Sequence, residues 1–195
     1  PTDRVRFVGE QVAAVIARDL PAAKKAAELV KVDYEPLPAI FDPVEAVQQD
    51  VELIHPELGD YSHVPWFFPQ GGTNIAHWRK IRKGQPEQGF AEADVVHAET
   101  YRVPRYAHCC IEVHCATGLY DHAGRLTVWS ASQSPHTQRN IFAETLAPLG
   151  LSHKDIRVIT PYVGGGFGGK AGVTMEILAA ALPILVKGHP IRINW

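Results

Sequence analysis

The run Val163-Gly164-Gly165-Gly166-Phe167-Gly168-Gly169-Lys170 constrains this chain more than any other segment. It lies between a strand-like stretch, 156–163, and a stretch that reads as a helix from about Thr174. Glycines in such number let the backbone adopt positive φ and come close to a ligand. The loop amides, with a helix start behind them, suit an anion such as a phosphate. Three readings compete for the loop. Gly164-x4-Gly169-Lys170 fits the opening of a P-loop, but Ala171 stands where a magnesium-binding hydroxyl belongs. Gly164, Gly166 and Gly169 satisfy a dinucleotide fingerprint, which wants an acidic residue about 20 positions on. The chain offers Lys187-Gly188-His189-Pro190 there. The third takes the loop together with its surroundings, and the plain alternative to all three is a strand-to-helix turn that holds nothing.

Residues 109–120 and 125–133 are strand-like and joined by the turn Asp121-His122-Ala123-Gly124. Ser134-Pro135 reads as the cap and first turn of a helix. Ile141, Phe142, Thr145, Leu146 and Leu149 then form one apolar stripe, which Gly150 ends. The helix after the glycine loop should bend near Pro183, and Ile191-Arg192-Ile193-Asn194-Trp195 opens a further strand. Earlier in the chain, 12–17 reads as a strand, Asp19 and Pro21 as a helix start, and 30–34 as a second strand stopped by Pro36 and Pro38. One such unit cannot bury both faces of a sheet. Residues 1–50 therefore read as the end of a larger domain, 51–73 as a linker, and 74–195 as the first part of another. Trp66-Phe67-Phe68 in the linker needs cover. The expected class is α+β, cut at both ends.

Composition narrows the functions. With 19 Lys+Arg against 21 Asp+Glu the net charge is −2, which argues against a nucleic-acid partner bound through bulk charge. No apolar run approaches a membrane span, and Pro1-Thr2-Asp3-Arg4 reads as no signal peptide. Cys109, Cys110 and Cys115 are an odd, clustered set, so a reducing, cytoplasmic setting is expected. His108-Cys109-Cys110-Ile111-Glu112-Val113-His114-Cys115 is tempting as a zinc site. Read as one strand, His108, Cys110, Glu112 and His114 share a face. Their spacing of roughly 7 Å along the strand keeps four of them from converging on one ion. Cys109 and Cys115 are expected to pack as small apolar residues, and Glu112 to be hydrogen-bonded.

The glycine loop, Ser132-Gln133-Ser134-Pro135 and His108-x3-Glu112 occur here in one order and spacing. Together they resemble the molybdopterin-binding large subunit of the molybdenum hydroxylases, the xanthine dehydrogenase and aldehyde oxidase family. Phe7-Val8-Gly9-Glu10-Gln11-Val12-Ala13-Ala14-Val15 through Tyr34-Glu35-Pro36-Leu37-Pro38 resembles the end of that family's α/β hammerhead domain. Gly89-Phe90-Ala91-Glu92-Ala93-Asp94 with Glu99-Thr100-Tyr101 resembles the start of its first cofactor domain.

The resemblance implies a molybdenum–molybdopterin cofactor, with or without a nucleotide extension. It also implies a carbon hydroxylation that takes its oxygen from water. Gln133 matches the glutamine whose side chain approaches the oxo ligand of molybdenum, and Phe167 the loop aromatic beside it. Gly165, Gly166 and Gly168 match the backbone around the cofactor. No protein side chain would ligate the metal directly. Ala171 replaces a substrate-holding glutamate of the purine-oxidising members, which favours an aldehyde or another heteroaromatic. The family's general-base glutamate matches no residue here, so a fragment of this extent is expected to be inactive alone. The resemblance also implies iron–sulfur clusters and FAD; three cysteines cannot supply a four-thiolate cluster, so these are expected on partner domains or subunits. The rival classes are a phosphate- or nucleotide-binding module built on the 164–170 loop and a non-catalytic assembly domain.

Overall fold

The computed structural model describes residues 3–61, 63 and 67–194, so what was expected of Trp66 and Trp195 lies outside the described residues. It divides into two compact units, Pro1–Tyr101 and Arg102–Trp195. In the first, α1 (Leu20–Ala27) begins where Asp19 and Pro21 predict it. The Asp19 carboxylate accepts the Ala22 N–H at 2.9 Å. Asp42 caps the one-turn helix α2 (Pro43–Ala46) likewise, and α3 spans Pro86–Glu92. The strands expected at 12–17 and 30–34 do not form, and no described residue of this unit is buried. β-propensity needs a paired, half-covered surface to act on, and none is present.

Polar ties organise this unit instead. Arg6 Nε donates to Ile54 O at 2.9 Å. Asn74 accepts the Ile54 N–H at 2.8 Å and donates to Ala46 O and Glu52 O at 3.0 Å each. Phe67 and Phe68 lie against the His77 ring, with centroids 4.9 and 5.7 Å away. Asp19→Ala should cost α1 about 1 kcal/mol, read as faster amide exchange at Ala22 and Ala23 with the second unit unaffected.

The second unit is a two-layer arrangement. Strands β1 (Cys115–Tyr120), β2 (Leu126–Ser130), β3 (Ile156–Ile159) and β4 (Ile191–Asn194) form one sheet in the order β3-β2-β1-β4. The β1–β2 hairpin turns at Asp121–Gly124 as expected. Gly124 takes φ 82° and the Asp121 carboxylate accepts the Arg125 N–H at 2.9 Å. β2 and β3 run parallel, joined by helix α4 (Pro135–Thr145) as crossover, while β4 pairs antiparallel with β1.

Alternation places Ala116, Gly118, Leu126, Val128, Ser130 and Ile156 on the covered face. Phe142 and Leu146 of the expected stripe, with Ala143 beside them and Ala180 of α5 (Glu176–Ala181), close over it, while Thr145 of that stripe is exposed. Leu149 of the expected stripe is exposed, because the chain has already passed into a 3-10 turn ending at Gly150. After α5 the helix tightens to 3-10 over Leu182–Val186, where Pro183 breaks the α pattern.

One expected strand starts late. Pairing begins at Cys115, not Cys109, because Cys109 sits at φ 49° and the chain bends at Ile111 and Glu112. Residues 109–114 therefore form no strand: His108, Cys110 and Glu112 still share a side, His114 does not join them, and Cys109 is exposed rather than packed. Among the described residues, no helix is long and apolar enough to cross a membrane.

Candidate functional site

β2 delivers the chain to Ser132, whose buried hydroxyl accepts the Ser134 N–H at 3.0 Å and turns the backbone into α4. That turn sets Gln133 at the strand-to-helix junction, facing the glycine loop. The Gln133 N–H donates to Lys170 O at 3.0 Å. Its side-chain Oε1 accepts the N–H groups of Gly168 at 3.1 Å and Lys170 at 3.2 Å. A Cβ on Gly166 would stand 2.4 Å from Gln133 Cδ, so the absent side chain is the space the glutamine occupies. The two junctions are brought into one site.

Within the loop, Phe167 (φ 50°) and Gly168 (φ 91°) form the centre of a turn closed by Gly169 N–H donating to Gly166 O at 2.8 Å. Positive φ at Phe167 costs roughly 1–2 kcal/mol, held by the bonds around it. Phe167 as a whole is 74% exposed at the edge of the loop. Among the described residues, the N–H groups of Gly165, Gly166 and Phe167 and the Gln133 Nε2 meet no acceptor. An oxygen-rich, anionic ligand fits such a donor set. Ala171 follows on an exposed turn, its N–H donating to Gly168 O at 3.2 Å.

The segment 108–112 runs beneath the loop in the opposite direction. His108 lies against Gly169, Cys110 against Gly165, and Glu112 against Gly164, where a Cβ would come within 2.5 Å of Glu112 Cβ. Cys110 Sγ donates to Gly166 O at 3.4 Å. Glu112 Oε2 accepts both the Gly164 N–H and Lys170 Nζ, each at 2.7 Å. The Lys170 ammonium, and after it the Gly164 amide, hold the Glu112 carboxyl below the usual carboxylate range. These contacts therefore contribute fully above the unfolded carboxylate pKa and fade only as pH falls through the lowered one.

Sequence reasoning expected a hydrogen-bonded Glu112 but missed its partner. The signal was a lysine ending the loop with one acid on the facing segment. His114 stands apart, its Nδ1 3.5 Å from Oε1 of the buried Glu176. Among the described residues no three His, Cys, Asp or Glu side chains are placed to hold a metal ion. The P-loop reading weakens here: Lys170 is fully buried on Glu112 and presents no ammonium to a phosphate.

Comparison with known proteins identifies the family. Residues 67–195 match the molybdopterin cofactor-binding domain, and residues 1–38 the aldehyde oxidase and xanthine dehydrogenase a/b hammerhead domain. The carbon monoxide dehydrogenase large chain of Afipia carboxidovorans is 32% identical over 191 residues, 97% of this chain and 23% of that one. A putative xanthine dehydrogenase molybdenum-binding subunit of Escherichia coli is 32% identical over 193 residues, 99% of this chain and 23% of its own. The aldehyde oxidoreductase structure from Desulfovibrio gigas superposes with a TM-score of 0.69 at 28% identity, covering 90% of this chain and 17% of that one. The chain thus spans about a quarter of the length of these curated relatives. With residues 67–195 matching the cofactor-binding domain and 1–38 the hammerhead domain, the chain belongs to the molybdopterin-binding large subunits of the molybdenum hydroxylase family.

Proposed function

We propose that the chain helps build the cofactor site of an enzyme that oxidises an aldehyde or an aromatic heterocycle with oxygen from water. The cradle that Gln133 and Gly166 form, with open donors at Gly165, Gly166, Phe167 and Gln133 Nε2, carries this reading. When bound, a molybdenum–molybdopterin cofactor supplies the two-electron oxidation. The chain's own residues position it. Gln133 is oriented through Oε1 by Gly168 and Lys170, so its Nε2 is left to donate toward the cofactor. Gly165, Gly166 and Gly168 let the backbone approach, and Phe167 excludes water at the lip. The relatives are named for carbon monoxide, xanthine and aldehyde, and the lining of the site supports the choice among substrate classes. Exposed Tyr162, Val163 and Phe167 give the loop an apolar rim, and Ala171 adds no charge for a polar heterocycle. Electrons leaving such a site pass in this reading to iron–sulfur and flavin partners, and the chain's three cysteines are too few for a four-thiolate cluster of its own. The proposed setting is cytoplasmic, without membrane or nucleic acid.

Gln133→Ala in the complete enzyme should lower turnover on the order of 10²-fold with molybdenum content nearly intact, as for a lost preorganised donor. Phe167→Ala should raise KM more than it slows electron transfer to the partner clusters. Full activity in Gln133→Ala, or ATP affinity abolished in Lys170→Ala, would turn the assignment back toward a nucleotide loop.

A further inference from the structure

We propose that Glu112 is the positioning residue of the glycine loop, latching its two ends through a single carboxylate oxygen. The inference rests on the reading of the loop as a cofactor site. Gly164 opens the loop and Lys170 closes it, and Glu112 Oε2 takes a 2.7 Å hydrogen bond from each. The Glu112 N–H adds a bond to Gly164 O at 3.2 Å, which fixes the carboxylate's own backbone to the same point. With both ends pinned, the three amides without acceptors, at Gly165, Gly166 and Phe167, are held as one set. A loop rich in glycine has no intrinsic preference for that arrangement.

The two partners are not equivalent, which makes the latch testable. The Lys170 side chain is wholly buried, whereas that of Glu112 is 37% exposed. Without Glu112, a buried ammonium loses its counter-charge and is drawn toward water, which frees the closing end of the loop. Without Lys170, the carboxylate is solvated and still receives the Gly164 N–H, so one end stays fixed. The acid is therefore the more costly member to remove. A phosphate-binding loop demands the reverse order, because there the lysine is the working cation.

The test uses three variants of the holoenzyme: Glu112→Ala, Lys170→Met and the double substitution. Amide exchange of residues 164–170 is followed by mass spectrometry, with β1–β3 as internal reference, and molybdenum and pterin are counted per polypeptide after dialysis. Glu112→Ala should speed loop exchange at least tenfold with the sheet unchanged. It should also cut cofactor retention by about 10–100-fold, the scale of other partners that orient direct contacts. Lys170→Met should do less, and the double variant should recover toward Lys170→Met because no buried charge remains. Unchanged loop exchange in Glu112→Ala overturns the latch. So does equal loss of protection in loop and sheet, which would make the pair an ordinary stabilising contact. Faster loop exchange with full cofactor retention upholds the latch and overturns instead the reading of the loop as the cofactor's seat.

Discussion

Gly118→Val is expected to destabilise the second unit by about 3 kcal/mol or more, the upper range for forcing atoms into a packed core. Gly118 lies in β1 opposite Val128 of β2, on the face that α5 covers. A Cβ built there would stand 1.7 Å from Ala179 O and 2.9 Å from Pro183 Cγ. The first of these is helix backbone, so no rotamer change relieves it. α5 must lift away, exposing Ala179 and Ala180, both fully buried now. The lift strains the helix that follows the glycine loop, so a lower denaturation midpoint should come with weaker cofactor retention. Gly172→Ala is the control: no atom lies within 4 Å of its Cβ position and its φ is ordinary. A urea midpoint in Gly118→Val equal to that of the control would mean that α5 is not seated on β1 this closely.

What the sequence made legible divides by range. Asp19-x-Pro21, Ser134-Pro135 and Asp121–Gly124 act on their immediate neighbours, and each turn or helix start appears where expected, although Ser134 makes no side-chain cap bond and the turn into its helix is held by Ser132. The α+β class and the sheet of the second unit followed from strand-like runs around a helical stripe. The strands expected at 12–17 and 30–34 failed because an apolar run specifies a strand only when a neighbour pairs with it. Residues 109–114 failed for a different reason. Their alternation is real, since His108, Cys110 and Glu112 all meet the loop, but they follow the loop's curve instead of a ladder. At the site, the glycines and Gln133 were legible through their motif. The Glu112–Lys170 contact joins residues 58 positions apart, and only the fold brings them together.

Gly166→Val should separate function from stability in one substitution. The added atoms would meet Gln133 Cδ and Oε1 at 2.4 Å and Cγ at 2.7 Å, all on the outer part of a flexible side chain. Gln133 can therefore swing out, and the backbone need not move. Its departure forfeits the bonds from Gly168 and Lys170, at about 1 kcal/mol each. That loss is modest beside the effect on β1 and α5 in Gly118→Val. The functional loss is larger, because the donor is misplaced and branched carbon fills the cradle beside the open amides. Turnover should fall on the order of 10³-fold, the upper end for losing a preorganised donor from a dry site. Molybdenum content should fall with it, unlike in Gln133→Ala, where the cradle stays empty and the cofactor has room. Adding Gln133→Ala to Gly166→Val should then give back part of the bound molybdenum and none of the turnover. If the double variant binds no more metal than Gly166→Val alone, crowding between these two residues is not what shapes the site.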